Sequence, residues 1–227
     1  MRLLAVETAT MLGGLAILDG ATLVAESRIN VRVTHSERLM KEIDHVLTVA
    51  GMEIGDVDVF GISIGPGSFT GLRVGLSTVK GLVYATGKKF VEVSTLEAFA
   101  WNVPFSDRQV CPLLDARRKE VYATVLRWSG DGFVTVIDEQ ALRIGKLLSI
   151  IDAPTVFLGE GAILNRETIE KELGEKAFFG SPPQMFPSPA NVAFLCMKKA
   201  ERGEYSDALA AVPAYLRRSE AEIKYGP

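Results

Sequence analysis

The sequence predicts an α/β protein built as two lobes, and three observations carry that prediction. The chain opens on three short apolar runs at 2–7, 12–18 and 22–29, the last two joined by Asp19-Gly20, a hairpin turn signal. An apolar strand at 59–64 then runs through Gly65-Pro66-Gly67 into a helix rich in small residues. A turn-rich stretch at 102–108, with Pro104, Ser106 and Asp107, separates these from a second series of strands. At 227 residues the chain suits one large domain or two small ones.

Each further element has a local reason. Residues 34–50 read as the best helix: Thr34 and Glu37 have capping-box spacing, and Gly51 is a stop. Leu39, Met40, Ile43, Val46, Leu47 and Ala50 line one face of it. Ser68 and Thr70 are helix-capping residue types at the start of the glycine-rich helix. A short strand at 89–93 follows, and Ser94 caps a helix at 95–101. The second half restarts with strands at 109–114, 120–128 and 133–139, the last two turning at Gly130-Asp131-Gly132. A helix at 144–151, a strand at 155–158 ending in Gly159-Glu160-Gly161, and helices at 166–173 and 190–202 complete it, with a proline-rich stretch at 181–189. The tail from Tyr215 is basic, then polar. The expected lobes are 1–102 and 109–227, the second shorter and less regular. This β-β-β-α-β-α-β order resembles the ribonuclease-H-like fold of the actin-like ATPase and sugar-kinase superfamily, in which two such lobes flank a ligand cleft.

The glycine-rich segment carries most of the chemistry. Gly65 and Gly67 permit φ > 0 or close backbone approach, and Pro66 stiffens the corner between them. The helix that follows points free N–H groups outward, a setting that suits an anion. The segment is not a Walker loop, which ends in Gly-Lys-Ser/Thr, and its glycine spacing is one residue too long for the dinucleotide fingerprint. Within the helix, Gly71, Gly75, Thr78 and Gly81 recur at near-helical spacing. Each interior glycine costs about 1 kcal/mol relative to alanine. Such a stripe serves either close packing on the chain's own sheet or contact with a partner helix, and both readings stand. The apolar face of 34–50 is broader than one sheet contact needs. Leu39, Ile43, Val46 and Leu47, with Gly71, Gly75 and Thr78, therefore form a candidate partner interface, a four-helix bundle with a related chain.

Composition narrows the function classes. Hydrophobic residues make up 48% of the chain, which favours an extra buried surface such as a subunit interface. The net charge of −3 argues against a protein that binds nucleic acid or an anionic membrane on its own. Cys111 and Cys196 lack metal-ligand spacing and lie in apolar contexts, as buried thiols of a reducing compartment do. No run has the length of a membrane span and the first apolar run ends at Glu7, so a cytoplasmic location is expected.

Five segments occur in a telling order: Glu7-Thr8-Ala9-Thr10; Gly65-Pro66-Gly67-Ser68-Phe69-Thr70-Gly71-Leu72-Arg73; Val93-Ser94-Thr95-Leu96; Asp115-Ala116-Arg117; and Pro213-Ala214-Tyr215-Leu216-Arg217. Together they closely resemble the TsaB (YeaZ) family, bacterial subunits of threonylcarbamoyladenosine synthesis on tRNA. The match spans nearly the whole chain, and the block at 65–73 is highly specific. The resemblance implies a paralogue of TsaD, which transfers a threonylcarbamoyl group from its AMP adduct to an adenosine in the anticodon loop. It implies a heterodimer with a TsaD-like catalytic subunit, joined by a TsaE-like ATPase. It also implies tRNA contact only through that complex, and a homodimer when the chain is alone.

The resemblance assigns no catalytic residue. Where TsaD-like chains carry a metal-binding His-x-x-x-His pair, this chain reads Thr95 and Phe99, and neither side chain suits a divalent metal. His35 and His45 are ten residues apart, roughly 80° off a common helix face, and make a poor metal pair. No metal is expected, and the glycoprotease label of the superfamily gains no support. A candidate ligand pocket, vestigial or shared, gathers Glu7, Thr8, Gly65, Gly67, Ser68, Thr70, Arg73, Asp115 and Arg117. Glu7 stands where kinase-like relatives carry an aspartate. No cofactor is expected beyond ATP or ADP at a shared subunit interface. The alternative is a small actin-fold ATPase or phosphotransferase active alone, using Glu7 and the glycine-rich loop.

Overall fold

The opening meander turns where Asp19-Gly20 predicts. β1 (Arg2–Glu7), β2 (Leu12–Asp19) and β3 (Thr22–Asn30) run antiparallel, with Leu4 opposite Ile17 and Leu15 opposite Ser27. β4 (Val59–Ser63) and β5 (Lys89–Val93) add parallel to β1, giving the order β3-β2-β1-β4-β5. These elements come from a computed structural model that describes residues 1–30 and 35–216. The chain divides into two units: Met1–Ala98 with Pro187–Pro213, and Phe99–Phe186 with the chain from Ala214.

In the first unit both faces of the sheet are covered, which is why β1 is apolar on consecutive positions and buried from Leu3 onward. On one face, Leu4, Val6, Leu15, Ile17, Phe60 and Ile62 form a single core with α1 (His35–Val49) and α2 (Phe69–Thr86). On the other face, a side chain on Gly61 would press on Cys196 Sγ at 2.8 Å, and one on Gly14 would meet Pro189 Cγ at 2.6 Å. That face belongs to α7 (Pro189–Glu201). The capping box expected of Thr34 and Glu37 lies outside the described residues.

The second unit repeats the plan. After α3 (Thr95–Ala100), β6 (Gln109–Asp115), β7 (Glu120–Ser129) and β8 (Gly132–Arg143) form an antiparallel meander. β9 (Thr155–Leu158) and β10 (Ala177–Phe179) add parallel on the far side of β6. The order β10-β9-β6-β7-β8 is that of the first sheet read from the other edge. α4 (Ile144–Leu148), α5 (Glu160–Leu164) and α6 (Arg166–Leu173) supply the helical cover, and Leu147, Ile151, Ala162 and Ile169 join its core. Trp101, Phe105, Trp128 and Phe133 form an aromatic cluster of edge-on and tilted rings, with centroids 4.7–5.9 Å apart.

The two-lobed α/β architecture is as the sequence predicts, but the course of the chain differs. The expected second lobe ran unbroken from 109 to 227, whereas the structure returns Pro187–Pro213 to the first unit. The reason is tertiary: α7 packs on the face of the first sheet that α1 and α2 leave open. The helix is fastened there by Glu26 on β3, whose Oε1 accepts from Ala190 N at 3.1 Å and Ser188 Oγ at 3.0 Å. Arg28 binds the same carboxylate at 2.8 Å and reaches Ser188 Oγ at 2.5 Å. A carboxylate on the first turn of a helix satisfies orphan N–H groups and opposes the positive end of the dipole. Replacement Glu26→Ala is expected to lower stability by about 1–2 kcal/mol, read as a lower urea midpoint at unchanged m-value.

Candidate functional site

The glycine-rich segment packs against the end of β1. A side chain on Gly67 would overlap the Ala9 carbonyl, one on Gly71 the Thr8 carbonyl, and one on Gly75 the Thr8 hydroxyl. Gly71 and Gly75 lie one helical turn apart, so with Gly67 they clasp the two residues that follow β1. Ser68 N donates to Ala9 O at 2.7 Å, and the Ser68 hydroxyl caps α2 by accepting from Gly71 N at 3.3 Å. Two of the N–H groups at the start of α2, those of Ser68 and Gly71, are therefore turned to the chain's own oxygens. On the other side of the loop, Gly65, at φ 125°, is held twice by buried Thr95. Its O accepts from Thr95 N at 2.8 Å, and its N donates to Thr95 Oγ1 at 3.1 Å. Thr95, which replaces an expected metal ligand, thus has a structural task. Phe99, the other replacement, is fully buried.

Buried polar groups collect beside this clasp. Glu7 is wholly buried, and Ser63 lies one step beyond the Val6–Ile62 pairing of β1 with β4. Glu7 Oε1 accepts from Ala9 N at 2.6 Å. Glu7 Oε2, Thr8 Oγ1 and Ser63 Oγ have no hydrogen-bond partner of good geometry. Burial pushes the Glu7 carboxyl up to about 7, with the nearby Ser63 hydroxyl and the Ala9 N–H pulling the other way. Near neutral pH, Glu7 is therefore divided between its ionised form and a neutral acid able to donate a hydrogen bond. Ser63 was absent from the expected pocket; its one sequence signal is a hydroxyl inside an otherwise apolar strand.

The other expected pocket residues scatter. Ser68 and Thr70 are exposed at the start of α2, and the Arg73 guanidinium stacks 3.8 Å from the Phe69 ring centroid. Asp115 and Arg117 belong to the second unit. There the Asp115 carboxylate accepts from Arg117 N at 2.8 Å and pairs with its guanidinium at 3.7 Å. Glu160 lies close by, and burial first, then the Asp115 charge, raise its pKa. Among the described residues no group of three or more His, Cys, Asp or Glu converges as a metal site would require. His45 is exposed, and the His35 side chain lies outside the described residues.

The expected interface residues need correction. Leu39, Ile43, Val46 and Leu47 are buried in the first unit's own core, and Gly71 and Gly75 are buried against Thr8. Two sheet strands demand the α1 face, and the β1 end demands the glycines, so these six present nothing outward. Thr78 is half-buried. The outward stripe of α2 is instead Ser77, Gly81 and Ala85, all exposed, with Tyr84 beside it.

One further feature stands out in the second unit. Arg117, Arg118 and Lys119 all adopt left-handed backbone, at φ 65°, 54° and 64°. The left-handed region costs a residue with a side chain about 1–2 kcal/mol. Arg118 and Lys119 are the centre of the β6–β7 turn, closed by Glu120 N to Arg117 O at 3.0 Å, where Asn-Gly is the easy choice.

Comparison with known proteins fits this framework. The family model described as TsaD, tRNA N6-adenosine threonylcarbamoyltransferase, matches residues 29–225. The tRNA threonylcarbamoyladenosine biosynthesis protein TsaB of Bacillus subtilis is 33% identical over 228 residues, covering 99% of this chain and 98% of that protein. The chain belongs to the TsaB family of tRNA threonylcarbamoyladenosine biosynthesis proteins. YeaZ from Pseudomonas aeruginosa has a similar structure at 25% identity, with TM-score 0.81 over 95% of this chain and 99% of that one. Component A of the Acidaminococcus fermentans (R)-2-hydroxyglutaryl-CoA dehydratase, 15% identical with TM-score 0.54 over 88% of this chain and 99% of that one, shares the fold. No helix among the described residues of this TsaB-family chain is long and apolar enough to cross a membrane.

Two predictions follow from the clasp. Gly75→Ala is expected to destabilise the chain by about 1–3 kcal/mol through overpacking on Thr8. Gly81→Ala, where a side chain meets nothing within 4 Å, is expected to stabilise it by about 0.5–1 kcal/mol. Thermal melts of the two variants test this contrast. For Glu7 the folded-state pKa of about 7 exceeds the ordinary 4.5. The stability contributed by its protonated form is complete below about 4.5 and is lost as pH rises through about 7. The loss approaches roughly 3 kcal/mol at alkaline pH, and Glu7→Gln should flatten it in urea titrations between pH 5 and 8.5.

Proposed function

We propose that this chain is a non-catalytic partner of a TsaD-like threonylcarbamoyltransferase, required for transfer of the threonylcarbamoyl group to adenosine in the tRNA anticodon loop. The observation that carries the reading is Gly81. Gly71 and Gly75 are explained by Thr8, but Gly81 is exposed and would meet nothing if it bore a side chain. A mid-helix glycine costs about 1 kcal/mol, and inside this chain nothing recovers it. Ser77, Gly81 and Ala85 form a flat exposed row beside Tyr84, which is 87% exposed. A flat row beside a large aromatic is a surface on which another helix packs closely. Met40, 55% exposed on α1, adds apolar area to the same helical layer.

In this reading the α1–α2 layer pairs with the corresponding helices of the catalytic subunit, or with a second copy of the chain when that subunit is absent. A TsaE-like ATPase joins the pair, tRNA is met through the complex, and any ATP or ADP sits at a shared subunit interface. The setting is cytoplasmic.

The rival reading, an ATPase or phosphotransferase acting alone, needs N–H donors at the glycine-rich loop. The Ala9 carbonyl and the Ser68 hydroxyl already occupy Ser68 N and Gly71 N, and acceptor oxygens stand where phosphate oxygens would have to come. That packing favours the partner reading.

The test is light scattering after size-exclusion chromatography of the chain mixed with a TsaD-like subunit. Neither Tyr84→Asp nor Gly81→Arg is expected to lower stability by more than about 0.5 kcal/mol, yet both are expected to lose the mixed complex. Full retention of the complex in both variants would move the interface off α2.

A further inference from the structure

After α7 the chain turns back over the edge of the first sheet. Ser206 N donates to Phe90 O at 2.8 Å, which covers the free side of β5, the last strand in the order. Ala208 and Ala211 then join the core shared by α1 and α2. The turn around them is fixed by three hydrogen bonds. Leu209 N donates to Asp207 Oδ1 at 2.8 Å, Ala211 N to Asp207 O at 2.9 Å, and Lys80 Nζ on α2 to Leu209 O at 3.2 Å. The fold accounts for this backbone. It does not account for what the turn holds outward: Leu209 is 83% exposed and Val212 69%. A lone exposed leucine is ordinary on a protein surface. This one lies on the flank of α2, tied to Lys80, one helical turn from exposed Tyr84. Between Val74 and Thr86, Lys80 is the one charged residue of α2, and its ammonium is turned onto the carbonyl of the turn. A helix face that stays in water carries charge; this one presents Ser77, Gly81, Tyr84 and Ala85.

We infer that the turn at 207–212 completes the docking surface of α2, and that Leu209 is the apolar anchor by which this chain holds a TsaD-like subunit. The inference rests on the reading of the chain as that subunit's partner, and adds to it a contact from outside the two helices. The surface is continuous, because Lys80 joins the turn to the flat row of α2. It has the make-up of an interface centre, with apolar and aromatic side chains exposed and the nearby charge withdrawn onto backbone. It is also preset. The backbone of Leu209 is held at both its N–H and its carbonyl, so docking has little of it left to order. The occupant follows from kinship. The TsaD family model matches residues 29–225, a stretch that holds α1, α2 and this turn, so a TsaD-like subunit offers a helical layer of the same kind. Helices present grooves between the ridges of their side chains, and a leucine standing beside the flat row fits such a groove.

Titration of the chain with a TsaD-like subunit, followed by fluorescence anisotropy, measures the mixed complex. Leu209→Asp is expected to weaken it about tenfold or more, as loss of a central anchor does, with a melting temperature within about 2 °C of the parent. Thiol protection gives a second readout on an undamaged surface. Cys111 and Cys196 are both buried, so in Leu209→Cys the introduced thiol is the one open to a maleimide. Its labelling should be blocked by the TsaD-like subunit, whereas that of Leu164→Cys, at an exposed position of the second unit, should continue. Unchanged affinity and unchanged labelling at position 209, with the complex lost in Tyr84→Asp, would overturn the inference and leave the partner reading in place. Either readout without the other would also overturn it: weaker binding without protection is an indirect effect, and protection without weaker binding puts Leu209 at a rim. Absence of any mixed complex with the parent chain would overturn both readings. Protection by a second copy of the chain, with none from the TsaD-like subunit, would overturn the inference and assign the turn to self-association.

Discussion

The contact on which the first unit turns is the clasp of Gly67, Gly71 and Gly75 on Thr8 and Ala9. It decides three things together. It sets how closely α2 approaches the end of β1, because any side chain at those glycines would push the helix away. It uses the Ser68 N–H at the start of α2, which donates to the Ala9 carbonyl. And by fixing which face of α2 points inward, it leaves Ser77, Gly81, Tyr84 and Ala85 outward. A glycine-rich loop ahead of a helix is ordinarily read as a phosphate cradle. Here the same physics of close approach is spent on internal packing.

Glu7 shows the consequence for electrostatics. With no metal-binding constellation around it among the described residues, a buried carboxyl can lower its energy by holding its proton. Its neighbours are hydroxyls and an amide, which can hydrogen-bond a neutral acid but balance little of a full charge. Its one well-formed hydrogen bond, accepted from Ala9 N, closes the end of β1.

Much of this was legible in the sequence. Three apolar runs and the Asp19-Gly20 signal marked the meander, and the 109–139 strands marked its second copy, because strand patterns are local. The domain assignment of α7 was not legible, since its fastening to Glu26 joins residues far apart in the chain. The apolar face of α1 was identified correctly as apolar but read as facing a partner. Periodicity gives a face and cannot say what covers it. The glycines of α2 carried the same ambiguity, and only the position of Thr8 separates Gly71 and Gly75 from Gly81. The left-handed backbone of Arg117, Arg118 and Lys119 was not legible, since positive φ in non-glycine residues leaves no mark in composition.

The two units place the same connection in opposite settings. In each, the first strand of the meander stands at the centre of the sheet, flanked by its hairpin partner and by a parallel strand. After β1, Thr8, Ala9 and Thr10 are buried and lined by glycines; the turn after β6 is exposed, strained and carries three cations. A repeated fold offers equivalent turns, and selection for stability alone would make both cheap. The first is made cheap by removing side chains from what it touches. The second retains side chains where the backbone would be better without them, and holds one of them through the Asp115 carboxylate.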